Sequence, residues 1–290
     1  MDTNKQGKKV AIIMAFNYAL CHGIYHQFPA TIADIYLSYN WARHIKCNPI
    51  LIVTDNTEKA ITKQILDLVV EGEIDSEIES FYRKNINIHH YINIDIFEKT
   101  IKEITEDASR IFFYYSGHGI YGDLILPNYN HNAGYIKSVG VQRISIEDIL
   151  LPIIQNSLLT SQIVLIFDSC ESSNANLPFE WIKNRFVFKG THTYGVYGGR
   201  EIISISSSAK GSYASHDGSH FTTHLFNLWK NRNGINIKTL LDELNKINIE
   251  GASVRVSDPT LKYIPLWLFN SSLSDVKYMH YCQSFIIDRG

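Results

Sequence analysis

The chain alternates short apolar runs with longer amphipathic stretches. Val10–Phe16, Pro49–Thr54, Ile111–Tyr115 and Ile163–Phe167 are apolar almost throughout. Runs of this length suit strands buried on both faces, as in a parallel sheet covered by helices. From Pro29 to Lys46 the spacing is helical: Ile32, Ile35, Tyr36, Tyr39 and Ala42 share one face, and Pro29 stands where a first turn tolerates it. Thr57–Val70, Ile96–Ala108, Phe221–Trp229 and Ile237–Leu244 read as further helices. So does Ile146–Leu151, with Ser145 as its cap and Pro152 ending or kinking it. Asp123–Leu126 and Gly134–Val141 form a hairpin-like pair, and Ile202–Ile205, Ser253–Val256 and Pro265–Phe269 read as later strands. Glu71–Asp95 resists assignment, apart from the alternating piece NINIHHYINI. Glu171–Gly199 reads as a loop mixing aromatic and basic residues. Strands alternating with helices predict an α/β fold around a mostly parallel sheet.

Composition narrows the class. A hydrophobic fraction of 45% against 19% charged residues supports a real core rather than disorder. A formal net charge of -2 gives no sign of nucleic acid or an anionic membrane as partner. The cysteines, Cys21, Cys47, Cys170 and Cys282, are too sparse for a disulfide scaffold and fit a reducing compartment. The polar start MDTNKQGKKV lacks the features of a signal peptide, and no apolar run approaches the ~20 residues that span a bilayer. The expectation is a soluble cytoplasmic protein, one domain over 1–290, without internal repeats.

Two strand ends carry candidate chemistry. The run IFFYY leads into Ser116-Gly117-His118-Gly119, and IVLIF leads into Asp168-Ser169-Cys170. Ligands of open α/β sheets bind beyond the carboxyl ends of the strands. Neighbouring parallel strands would therefore put His118 and Cys170 in one crevice. The thiolate is the nucleophilic form of cysteine, and an imidazole beside it can take the thiol proton and give it to a leaving amine. Gly117 and Gly119 permit an unusual backbone path, and a bare N–H at Gly119 could face a developing oxyanion. A lone Cys after a strand is ordinarily a small buried hydrophobe, and a lone His between glycines a turn residue. The joint pattern outweighs both readings. His118 precedes Cys170 by about fifty positions, the caspase order and spacing, and opposite to the papain order.

In these motifs the chain resembles the metacaspases, within the wider clan of caspases, legumain and separase. YYSGHG and DSC match that family's two active-site motifs. The resemblance extends through VAIIMAFN, PATIADIYL and IISISSSAK, from Lys9 to Leu225. It implies a caspase-like three-layer α/β/α sandwich, with a large-subunit-like part over about 1–175, a loop over about 171–199 and a small-subunit-like part over about 200–290. It also implies that Asp34, Ser116 and Asp168 line the pocket for the residue before the scissile bond. Two carboxylates in a partly buried pocket favour a cation, so the implied substrates are proteins or peptides cut after Arg or Lys. A monomer is what the resemblance implies.

The departures concern efficiency more than fold. Glu171-Ser172-Ser173 stands where metacaspases usually have His-Ser-Gly, and Thr31 replaces a common cysteine. A carboxylate close to the thiol disfavours the thiolate. Many metacaspases need calcium; here the matching region offers Glu147 and Asp148, but Asn176 where an Asp is expected. Calcium stands only as an activator to test, with no metal ligand assigned. Cys21, His22 and His26 lack a fourth zinc ligand at suitable spacing. Two other readings compete: a catalytically weak caspase-like decoy that binds peptidases or substrates, and an asparaginyl or separase-like peptidase.

Overall fold

A computed structural model describes residues 7–18, 28, 31–55, 89–90, 94–120, 123–130, 137–158, 160–170, 201–207, 220–231, 243–244, 246 and 255–256. Its strands are β1 (Lys8–Ala15), β2 (Ile50–Thr54), β3 (His89–His90), β4 (Ala108–Ser116), β5 (Gly119–Ile120), β6 (Asp123–Asn130), β7 (Lys137–Ile144), β8 (Gln162–Asp168), β9 (Glu201–Ser206) and β10 (Arg255–Val256). Its longer helices are α1 (Thr31–His44), α2 (Ile94–Thr105), α3 (Ile146–Asn156) and α4 (His220–Asn231).

The main sheet has seven strands in the order β10-β9-β8-β4-β1-β2-β3. Every pairing in it is parallel except β9 with β10. The apolar runs occupy its centre because each residue meets a core on one side or the other. Ala11, Ile13, Phe112, Tyr114, Val164 and Ile166 join one cluster, with α1 and α4. Val10, Ile12, Met14, Ile111, Phe113, Tyr115, Leu165 and Phe167 join the other, with Ile101 of α2 and Ile149 and Ile153 of α3. Successive side chains of a strand point to opposite faces, so a continuous apolar run is what a sheet covered on both sides requires. The result is the α/β/α sandwich expected from the sequence.

Several elements differ from the sequence reading. In the hairpin-like pair β6 runs on to Asn130 and β7 lies three residues later than expected, at Lys137–Ile144, and the two form a separate antiparallel sheet with β5. The helix read as Ile96–Ala108 ends at Thr105, and Ala108 opens β4. Pro152 lies inside α3 rather than ending it, and the helix runs on to Asn156. An interior proline costs a helical hydrogen bond and about 3 kcal/mol. Buried Ile149 and Ile153 anchor the turns on either side, and the Asn156 side-chain amide donates to the Pro152 carbonyl at 2.7 Å. Ser145 caps α3 as expected, its hydroxyl accepting from the Asp148 N–H. On α1, Tyr36 and Tyr39 are half-buried, and Trp41 takes the core position. The helix read at Thr57–Val70 and the strand at Pro265–Phe269 lie outside the described residues.

The α1–α4 layer rests on aromatic packing. Trp41 lies 5.7 Å from Phe226 and 5.3 Å from Trp229, centroid to centroid. Trp229 is 1% exposed, so truncating it leaves a large cavity between two helices. Trp229→Ala should lower the unfolding free energy by about 3–5 kcal/mol. Denaturant unfolding followed by circular dichroism measures this; a loss below about 1 kcal/mol, the level of an ordinary surface change, would contradict the packing described.

Candidate active site

Strands β4 and β8 run side by side, and their last residues, Ser116 and Asp168, are register partners. One residue further, the Gly117 N–H donates to the Asp168 carbonyl at 3.2 Å. The two exits therefore stay together, with His118 and Cys170 each two residues beyond the registered pair. Both are buried, and Cys170 is a free thiol. Gly119 packs against the cysteine turn so closely that a Cβ on it would sit 2.5 Å from the Cys170 carbonyl oxygen and 2.9 Å from Ser169 Oγ. Glycine is required at 119 because any side chain would displace the turn that carries the thiol.

The His118 peptide is held from both sides. Its N–H donates to Tyr18 Oη at 2.9 Å, and its carbonyl accepts from Tyr115 Oη at 2.6 Å and from the Ile125 N–H at 3.1 Å. Its ring lies 4.6 Å from that of Tyr18 and 4.4 Å from that of Phe28. Gly117 makes room for this: a Cβ there would meet Tyr18 Oη at 2.7 Å and Tyr115 Oη at 2.9 Å. Burial and the neighbouring phenol push the Tyr18 hydroxyl well above its ordinary range, so it stays protonated.

On the opposite face of β4, two carboxylates gather around Tyr114. Asp34, in the first turn of α1 and 2% exposed, accepts from Ser116 Oγ at 2.6 Å. Asp168 accepts from Thr222 Oγ1 of α4 at 2.8 Å. Thr222 has a single hydroxyl proton, so Tyr114 Oη, 2.7 Å away, donates to it. Burial first, then the charges of Asp34 and Asp168, hold the Tyr114 hydroxyl well above its ordinary range. The phenol thus senses both carboxylates at once, and Asp34, Ser116 and Asp168 belong to one polar cluster.

The structure therefore brings together His118, Gly119 and Cys170 at one pair of strand exits, and Asp34, Ser116 and Asp168 beside them. Sequence reasoning missed Tyr18, Asp55, Tyr114, Tyr115 and Thr222. The NY pair at the end of β1 and the tyrosines of IFFYY were the available signals. Asp148 serves as a helix-cap partner, its carboxylate accepting from Ser145 Oγ at 3.0 Å. Among the described residues no group of three or more His, Cys, Asp or Glu side chains could hold a metal ion. Cys21, His22, His26, Glu171, Asn176 and Cys282 lie outside them. No helix among them is long and apolar enough to cross a membrane.

The model of the family described as Caspase domain matches residues 85–273, more than half of the chain and including both strand exits. No curated protein matches. A solved structure of pro-sf-caspase-1 is similar at a TM-score of 0.44 and 13% identity, over 85% of this chain and 82% of that one.

These contacts predict a difference between thiols. Burial pushes the Cys47 thiol up to about 12, so in the folded protein it stays protonated and unreactive at neutral pH. Iodoacetamide at pH 8, with peptide mapping, should modify Cys170 and spare Cys47 until the protein is unfolded. Gly119→Ala should slow labelling of Cys170 at least about tenfold, since a 1 Å displacement at a reacting group can cost about 10²-fold. Modification of Cys47 in the native state, or an unchanged rate in Gly119→Ala, would contradict the packing described here.

Proposed function

The chain belongs to the caspase domain family of cysteine peptidases, and from that premise we propose that it is a Cys–His endopeptidase cleaving after Arg or Lys. The observation that carries the reading is the registered end of β4 and β8, with His118 and Cys170 each two residues beyond it and Gly119 packed against the Cys170 carbonyl. In the proposed reaction His118 takes the Cys170 proton, and the thiolate attacks the substrate carbonyl carbon. A C–S bond forms while the carbonyl electron pair moves onto oxygen, where the Gly119 N–H is assigned as donor. The oxyanion collapses, the C–N bond breaks, and His118 protonates the departing amine. Water, deprotonated by His118, then hydrolyses the thioester, releasing the acid and restoring the thiol.

Selectivity follows from charge. Asp34 and Asp168 both act on buried Tyr114, and a substrate guanidinium would neutralise them while bonding bidentately. A substrate Asp would add a third negative charge. Thr222 and Ser116 fix one oxygen of each carboxylate, so the cation would meet a preset pair. A decoy that binds without turnover is the second reading; Glu171, adjacent to Cys170 in the chain, favours it. Calcium enters only as an assay condition, and protein or peptide substrates with basic residues are the partners proposed.

Fluorogenic peptides ending in Arg, Lys or Asp, with and without calcium, test this. Arg peptides should be cleaved far faster than Asp peptides, and Cys170→Ala should abolish turnover. His118→Ala should lower kcat by ~10²–10⁴-fold. Asp168→Asn should weaken Arg cleavage by ~2–5 kcal/mol, the usual cost of removing one partner of a buried charged pair. Preference for Asp, or an Arg preference indifferent to Asp168→Asn, would show the pocket to be wrongly assigned. Binding of Arg peptides without turnover would favour the decoy.

A further inference from the structure

The most constrained feature near the strand exits belongs to no reacting group. Asp55, 4% exposed at the end of β2, accepts from the Asn17 N–H through Oδ1 and from the Tyr18 N–H through Oδ2, both at 2.6 Å. Tyr18 is held with φ at 60°, a left-handed conformation that is rare for an aromatic residue. Such a conformation persists only where the surroundings over-determine it. Here a buried carboxylate binds the two consecutive peptide N–H groups that lead into the bend, and the Asn17 carbonyl also accepts the Phe28 N–H at 2.9 Å. The bend sends the Tyr18 side chain to the exit of β4. There its hydroxyl accepts the His118 N–H at 2.9 Å and donates to the Ile125 carbonyl at 2.5 Å, while its ring packs 4.6 Å from the imidazole.

We infer that Asp55 and Tyr18 are positioning residues for His118: the carboxylate fixes the bend, the bend fixes the phenol, and the phenol fixes the backbone and ring of the base. The inference rests on the proposed role of His118. It adds that the geometry of the base is set from β2, two strands away from β4, as well as by its own glycine-flanked turn. Both residues act on the base rather than on the substrate, so the effect falls on kcat. Tyr18→Phe keeps the ring and removes the acceptor of the His118 N–H. Asp55→Asn leaves one side-chain oxygen for two N–H donors and turns an N–H donor group toward the other.

Kinetics on the full chain with an Arg peptide, together with imidazole NMR signals assigned through His118→Gln, tests the chain of contacts. Each variant should lower kcat about 10–100-fold with KM within about twofold, as expected for a misplaced catalytic group. The double variant should be no slower than the worse single one, because both act through one contact. In both variants the His118 imidazole signals should shift or broaden, while those of exposed His44 stay in place. Should Asp55→Asn fail to fold, Tyr18→Phe carries the test alone. Multiplicative losses in the double variant, or unchanged kcat and imidazole signals in folded Tyr18→Phe, would overturn the inference. A wild type inactive on peptides whose His118 signals still respond would refute the peptidase reading and leave the positioning intact.

Discussion

Everything at the candidate site depends on the parallel register of β4 with β8. Pairing Ser116 with Asp168 fixes where both strands end. The hydrogen bond from Gly117 to the Asp168 carbonyl prolongs that alignment past the sheet. A register slip of one residue would send each side chain of one strand to the opposite face. It would separate Ser116 from Asp34 and push the phenols of β4 into the wrong layers. The buried apolar residues on both faces resist this, because each has a place in only one of the two cores.

From that alignment follows a division between adjacent tyrosines. Tyr114 faces α1 and α4, where its hydroxyl meets Thr222 and lies within the fields of Asp34 and Asp168. Tyr115 faces the other layer, where its hydroxyl holds the His118 carbonyl. One strand thus serves a carboxylate cluster with one side chain and the turn of the base with the next. Burial keeps both phenols protonated, which suits hydroxyls that donate hydrogen bonds rather than carry charge.

Much of the architecture was legible because it rests on local pattern. Continuous apolar runs announce strands buried on both faces, and a His and a Cys just past two of them mark the exits. The rest depends on partners distant in sequence. Asp55 reads as an ordinary strand-closing residue until its carboxylate is seen to bind the N–H groups at positions 17 and 18. Thr222 sits in an amphipathic helix, where nothing local distinguishes it from a solvated threonine. Within IFFYY both tyrosines read as strand core, since the face each takes depends on what covers the sheet. Pro152 misled for the opposite reason: its local penalty is real, and packing of Ile149 and Ile153 outweighs it. The polar end of β6, Asn128 to Asn130, hid the length of that strand, and β7 lies three residues later than expected, in a hairpin that pairs within its own small sheet.

The central proposal is that one thiol, Cys170, is activated beside a carboxylate pair, Asp34 and Asp168, that selects cations. A peptidyl acyloxymethyl ketone ending in Arg tests both halves in one measurement, because it must occupy the pocket before it alkylates. Intact mass should show a single adduct, peptide mapping should place it on Cys170, and the matching Asp reagent should react far more slowly. An adduct on another cysteine, or equal rates for the Arg and Asp reagents, would contradict the account.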